Sequence, residues 1–360
     1  METNKVKAIH GFGQSIWLDF IERKFVKSGG LQKLIDEDGV RGVTSNPAIF
    51  EKAISGSEQY DAQIAEVFSQ GKSEEEVFYE LAIRDIQDAA DLFKPVYDSD
   101  GGIDGYVSLE VSPELARNTD GTISQALDLW KRVDRVNVMI KIPGTAEGLP
   151  AIRKTIAEGL NINVTLLFGL PRYEEVTEAY ISGLEDRVAA GLPVDKIASV
   201  ASFFLSRIDV MVDPLLDDKN PDLKGKVAVA SAKKAYEIYK RVFSSERWKK
   251  LEEKGAKPQR LLWASTSSKN PDIPDTFYVE ELIGPDTVDT VPTETLDAFR
   301  DHGKAENKLE TGLDQATQTL VSLDNAGIDI HSITQKLEDE GIEKFIGPYQ
   351  KLLKAISDKK

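Results

Sequence analysis

The chain of 360 residues contains no cysteine. Disulfides, a thiol nucleophile and a thiolate metal site are therefore excluded, and a reducing compartment such as the cytoplasm is the expected location. Histidine is scarce as well: His10, His302 and His331 are scattered and form no H-x-x-x-H pair, so no catalytic zinc set is expected, nor any other cofactor. Long apolar runs are missing. No stretch approaches the ~20 consecutive apolar residues that span a bilayer, and the opening METNKVKAIHGFGQSIW lacks the apolar core of a signal peptide. Positive charge is in deficit, with 45 Lys and Arg against 61 Asp and Glu and a net charge of −16. Such a chain is a poor sequence-independent binder of nucleic acid. It also repels small anions at long range, so any site for them must gather basic residues locally.

What is present is a repeated alternation. Eight short strand-like runs stand out: SIWLD (15–19), GVTSN (42–46), YVSLEV (106–111), VMIKIP (138–143), INVTLLF (162–168), ASVASFF (198–204), RLLWAST (260–266) and TVDTVP (287–292). Most are rich in apolar and β-branched residues, as buried parallel strands should be, and TVDTVP fits least well. Helical patterns lie between them, including SEEEVFYELAIRDIQDAADLF (73–93) and YEEVTEAYISGLEDRVAAG (173–191). The order predicts an α/β fold, a (β/α)8 TIM barrel. A doubly wound sheet is disfavoured because no strand-to-helix turn carries G-x-G-x-x-G. Residues 205–259 add extra helices, including AVASAKKAYEIYKRVF (228–243). A C-terminal helical tail covers 304–360, where Phe345, Ile346, Tyr349, Leu352 and Leu353 form an apolar stripe that should pack on the barrel. One domain spanning 1–360 is the simplest reading.

In such a barrel, chemistry sits at the C-terminal ends of the strands. The polar residues there are Asp19, Thr44 and Asn46, Glu110, Lys141, Asn163 and Thr165, Ser202, and Ser265 followed by Lys269. Each has an ordinary structural reading. Buried Thr, Ser and Asn more often satisfy backbone groups, and Glu110 with Lys141 could form a buried ion pair. Such pairs often cost more than they contribute, so keeping one inside a barrel asks for another reason. Lys141 is the sharpest case, an amine inside the apolar run VMIKIPG. Burial disfavours the charged form of an amine, and a neutral amine attacks a carbonyl to form a Schiff base. The imine is an electron sink for carbon–carbon cleavage without a metal, with Lys141 as a structural lysine the competing reading. Around it, Glu110 with Thr165 would handle the water expelled, Asp19 would take a hydroxyl proton, and Asn46 and Asn163 would hold polyol hydroxyls. DSDGGID (98–104) lacks the full calcium-loop ligand pattern and reads as a turn. NVT (163–165) is a glycosylation triplet in form, but it falls within a predicted buried strand.

These residues resemble the transaldolase family, in the branch found in actinobacteria and cyanobacteria. The resemblance runs over nearly the whole chain, through SIWLDFIER, GVTSNPAIFEKAI, VSLEVSPELA, VMIKIPGTAEGLPAI, EGLNINVTLLFGLPRY, ASVASFFLSRID, LLWASTSSKNPD and DEGIEKF. It implies a metal-free Schiff-base mechanism on a (β/α)8 barrel, with Lys141 at the Schiff-base position. Asp19, Asn46, Glu110, Asn163, Thr165 and Ser202 fall on the other active-site positions, with Thr44 beside them. In SFFLSR, Phe204 and Arg207 match the family's aromatic residue and its phosphate-binding arginine. Where the better-known branch has a second arginine, this chain reads ASTSSKNP, with Ser267 near that position and Lys269 just beyond; Lys269 is expected to supply the second cation.

The reaction implied moves a dihydroxyacetone unit from sedoheptulose 7-phosphate to glyceraldehyde 3-phosphate. Sugar phosphates are the expected partners, with no nucleic acid and no membrane. Monomer and homodimer are both compatible with the sequence. The nearest rival is an aldolase that releases free dihydroxyacetone from fructose 6-phosphate. Those enzymes are shorter and carry glutamine and tyrosine at the positions of Glu110 and Phe204. A barrel that binds sugar phosphates without turning them over is disfavoured by the joint presence of Asp19, Glu110, Lys141 and Thr165.

Overall fold

The computed structural model describes residues 4–216 and 220–360. Eight parallel strands close into a barrel in chain order. They are β1 (Gln14–Leu18), β2 (Gly42–Val43), β3 (Tyr106–Glu110), β4 (Val138–Pro143), β5 (Ile162–Leu167), β6 (Ser199–Phe204), β7 (Arg260–Ala264) and β8 (Thr287–Val291). Helices lie between successive strands, giving the (β/α)8 barrel. Apart from Arg260, every strand residue is buried, because one face meets the barrel interior and the other the helix layer.

Two strands depart from the sequence reading. TVDTVP, the least strand-like run, forms a complete strand bonded to both β7 and β1, with Gln14–Leu18 in register with Thr287–Val291. It closes the barrel. GVTSN, read as a strand through Asn46, stops at Val43. The Asn46 side chain accepts a hydrogen bond from Ile49 N at 3.0 Å and caps the helix Pro47–Ser55, which has proline in its first turn. The chain must turn into that cap, so extended geometry ends early.

The interior is layered. At the floor, Asp104 accepts from Ser15 Oγ at 2.5 Å, Trp17 Nε1 at 3.0 Å and Arg260 Nη2 at 2.9 Å. The first two residues of DSDGGID end the helix Glu74–Ser99, and the rest is a turn whose last acid ties the floor together. Above it the rings of Trp17 and Tyr106 fill the barrel, 6.3 Å apart. Gly42 makes room for them, since a Cβ there would lie 2.6 Å from the Trp17 ring.

The chain ends in the helix Ile330–Ser357, which packs across the helices Pro47–Ser55 and Glu74–Ser99. Of the predicted stripe, Phe345, Tyr349 and Leu352 are buried, and Ile346 and Leu353 are half-buried against the core. Each fully buried side chain of this size contributes about 1.5–3 kcal/mol. Tyr349 also meets Phe78 edge-on at 5.8 Å and donates to Glu75 Oε1 at 2.8 Å. No helix of the described residues is long and apolar enough to cross a membrane.

Candidate active site

Lys141 stands near the C-terminal end of β4, in register with Glu110 on β3 and Asn163 on β5. Its flanking residues Ile140 and Ile142 are fully buried on the opposite face, as strand alternation requires. Only 4 % of Lys141 is exposed. Its Nζ donates to the Ser45 carbonyl at 3.2 Å, lies 3.5 Å from Glu110 Oε2 and sits 5.6 Å from the centre of the Phe345 ring. The amine thus lies against an aromatic ring, with a backbone carbonyl and one carboxylate beside it.

That carboxylate is itself unusual. No hydrogen bond reaches either oxygen of Glu110 among the described residues. Loss of solvent pushes its pKa up to about 7, and the Lys141 charge opposes the rise. A group poised there exchanges protons near neutrality. Asp19, just beyond β1, is the second carboxyl. Desolvation raises its pKa, against the pull of Lys141, a hydrogen bond from Thr44 and the charge of Arg207. Thr44 Oγ1 donates to Asp19 Oδ1 at 2.6 Å and is also 2.7 Å from Thr290 Oγ1, which holds the carboxyl in place across β1, β2 and β8.

Below this pair a polar belt crosses the barrel. Asn163 Nδ2 donates to Ser108 Oγ at 3.1 Å, and Ser202 Oγ donates to Asn163 Oδ1 at 2.7 Å. These bonds fix which end of the amide faces which strand. Thr165 is fully buried and its Oγ1 has no partner among the described residues. Immediately after it, Leu166 takes a left-handed backbone with φ 60°, and the β5–β6 register shifts between Val164 and Leu167. A branched residue held there stores strain, and such bulges re-aim neighbouring side chains next to functional sites.

A cavity of about 230 Å³ opens over these groups. Asp19, Thr44, Asn46, Lys141, Ser202, Phe204, Arg207, Ser265 and Lys269 all line it. Glu110 touches it through Lys141, Asn163 through Ser202, and Thr165 lies beside Pro143 on the adjoining strand. At its outer end Arg207 lies 5.2 Å from the Phe204 ring centre and forms no ion pair among the described residues. Its Nη1 is buried without a partner. Burial lowers the Arg207 pKa while the Asp19 charge raises it. A desolvated, unpaired guanidinium is a ready-made anion seat. Lys269 is exposed at the rim, donating to Ser267 Oγ at 2.6 Å. Ser265 has a left-handed backbone, φ 56°, and its Oγ is 2.9 Å from Ser206 Oγ. This contact pins the end of β7 to the turn that carries Arg207. Asn46 spends its carbonyl oxygen on the helix cap.

Several residues in or beneath the cavity are not singled out by the sequence. Thr290 stands near the end of β8, where the same search for polar strand ends finds it once TVDTVP is accepted as a strand. Ser108 lies inside β3, and nothing local distinguishes it. Glu294, near the start of the following helix, adds a negative charge to the rim. Phe345 was visible only as part of an apolar stripe, yet its ring roofs Lys141.

The family model described as transaldolase/fructose-6-phosphate aldolase matches residues 16–356. A protein named transaldolase from Trichodesmium erythraeum is 48% identical over 373 residues, covering 100% of this chain and 98% of its own. One from Saccharopolyspora erythraea is 47% identical over 362 residues, covering 99% and 98% respectively. Another from an Arthrobacter strain is 48% identical over 356 residues, covering 98% of this chain and 96% of its own.

Proposed function

The chain belongs to the transaldolase/fructose-6-phosphate aldolase family, and from that membership we propose that it is a transaldolase working through a Schiff base on Lys141. The donor is sedoheptulose 7-phosphate, the acceptor glyceraldehyde 3-phosphate, and the products are erythrose 4-phosphate and fructose 6-phosphate. This is a step of the non-oxidative pentose phosphate pathway, carried out in the cytoplasm.

The observation that carries the reading is one buried amine, beside Glu110, in a cavity also lined by a guanidinium that forms no ion pair among the described residues. The neutral amine of Lys141 attacks the ketose carbonyl, and Glu110 passes a proton to the departing oxygen so that water leaves. Thr165, whose hydroxyl has no partner among the described residues, holds that water. Asp19 removes the proton from the hydroxyl on the far side of the bond to be cut. The carbon–carbon electrons move into the iminium, an enamine remains on Lys141, and the aldehyde product leaves. The acceptor aldehyde then enters, the enamine carbon attacks it, and Asp19 returns the proton to the new hydroxyl. Hydrolysis through Glu110 releases the ketose and restores the amine. Arg207 and Lys269 bind the phosphate, and the belt of Ser202 and Asn163 orients the hydroxyls.

Borohydride trapping in the presence of fructose 6-phosphate, followed by peptide mass analysis, tests this. A three-carbon adduct on Lys141 is expected, and Lys141→Ala should fold normally but neither trap nor turn over. Trapping at another residue, or none, would sink the mechanism. The same incubation separates the related aldolase reaction: transfer to glyceraldehyde 3-phosphate should far outpace release of free dihydroxyacetone.

A further inference from the structure

A second cavity, of about 490 Å³, lies outside the barrel, between the helices Val227–Val242 and Leu313–Asn325. It is larger than the catalytic cavity and falls in the range of small-molecule sites, about 300–1,000 Å³. Its body is apolar, formed by Val229, Ala230, Ile273, Phe277 and Ala316. Its charge is positive. Lys224, Lys226 and Lys233 all line it. Of the two carboxylates in its wall, Glu281 is already paired with Lys308 at 2.8 Å, and Asp272 is the other. Lys233 is the telling residue. Only 6 % of it is exposed, and its ammonium makes one hydrogen bond, 2.9 Å to the Thr311 carbonyl, leaving two donors without partners among the described residues. The Glu281 charge already favours this ammonium and that of Lys308 opposes it, and an anion in the cavity would offset the rest of its burial. A chain of net charge −16 that gathers three lysines round one hollow has built a local exception to its own field.

The two cavities share a loop. After β7 the chain supplies Ser265, Ser267 and Lys269 to the catalytic cavity. Three residues later the same loop supplies Asp272, Ile273 and Pro274 to the second one. Asn270 joins the halves, accepting from Asp272 N at 2.9 Å through its side chain and from Ile273 N at 3.1 Å through its carbonyl. Ile273 is seated against Gly225, whose backbone is left-handed at φ 69°, and a Cβ at Gly225 would approach Ile273 Cδ1 to 2.8 Å. Whatever fills the second cavity therefore bears on the segment that carries Lys269.

We propose that this cavity binds a small organic phosphate with an apolar or aromatic body, and that its occupancy orders the loop presenting Lys269 to the catalytic mouth. A plain sugar phosphate fits less well, because Thr311, Gln315 and Thr319 offer its hydroxyls partners but Val229, Ile273 and Phe277 offer none. Inorganic phosphate satisfies the lysines and leaves the apolar walls empty. The effect on the mouth rests on the role proposed for Lys269, but the binding does not.

The test uses phenyl phosphate, titrated by calorimetry into the full-length Arg207→Gln chain so that the catalytic anion seat is removed. Saturable one-to-one binding is expected, about tenfold tighter than inorganic phosphate and weakened at least about tenfold by Lys233→Met and by Lys226→Ala. Lys226 is exposed, so its variant folds even if the buried substitution disturbs the core. No saturable binding, or binding by both lysine variants as tight as by the parent chain, overturns the site. Hydrogen exchange on the same complex should slow across residues 268–277. Protection confined to residues 224–233 and 311–319 overturns the link to the mouth. Because both measurements read binding rather than turnover, they fail or succeed independently of the transfer reaction.

Discussion

Lys141 Nζ lies 3.5 Å from Glu110 Oε2, on neighbouring strands at the same register, with each side chain 5 % exposed. The Glu110 carboxyl is carried to about pH 7 by its desolvation, against the pull of the Lys141 charge. The pH profile of kcat/KM should therefore show an inflection near 7. In Glu110→Gln this inflection should vanish and kcat should fall by about 10²- to 10⁴-fold, the usual range for loss of a positioned proton donor. An unchanged profile in the variant would remove Glu110 from proton transfer.

The two cations at the outer end of the cavity differ in setting, and their variants should differ in kind. Arg207 is desolvated and forked, whereas Lys269 is exposed at the rim. Lys269→Ala should mainly raise KM for the sugar phosphate, by about three- to tenfold, with kcat nearly unchanged, as expected for loss of uniform binding. Arg207→Lys should lose more, since a point charge does not replace a bidentate fork. Steady-state kinetics on both variants decide it. A collapse of kcat at fixed KM in Lys269→Ala would give that lysine a different role.

Phe345 covers the amine from a helix far away in sequence. Phe345→Ala should admit water above Lys141 and leave a void, costing about 3–5 kcal/mol of stability. Phe345→Leu should recover most of that stability. If the ring also positions the amine, turnover and the rate of borohydride trapping should stay depressed in the leucine variant. Thermal unfolding and trapping rates measured together separate the two effects, and full recovery of both would make Phe345 a packing residue only.

Asp289 lies fully buried in β8, and desolvation pushes its pKa up to about 8, with Thr266 acting the other way. Its folded pKa exceeds the unfolded value of 3.8, so the folded chain holds this proton more tightly. The stability it contributes is complete below about pH 4 and is lost as pH rises through about 8. Glu110 acts in the same direction, through about 7. Asp289→Asn should flatten the alkaline fall in stability by roughly 1 kcal/mol per pH unit between pH 4 and 8. Denaturant unfolding across that range provides the measurement, and parallel curves for parent and variant would refute it.

The barrel was legible because buried parallel strands are written as short apolar runs, and VMIKIP or INVTLL leave little else to form. β8 was harder to read because Thr287, Asp289 and Thr290 are polar, and closure against β1 and β7 overrides their weak local preference. β2 was read too long because the demand of Asn46 as a helix cap competes with the strand. The polar strand ends marked out Asp19, Thr44, Glu110, Lys141 and Asn163 together. Phe345 and Ser108 escaped for different reasons. The first meets Lys141 only through the packing of the last helix, and the second is a common residue whose partner, Asn163, lies on another strand.

The register of β1 with β8 has a consequence for the order in which the enzyme is made. A ribosome releases the chain from its N-terminus, and β1 can find its most extensive partner only once residue 291 has emerged. The roof over Lys141 waits longer still, for Phe345 in the final helix. A product cut short between those two points would carry every strand of the barrel but lack the ring that covers Lys141. Completion of the last helix is thus what turns an accessible lysine into an enclosed one.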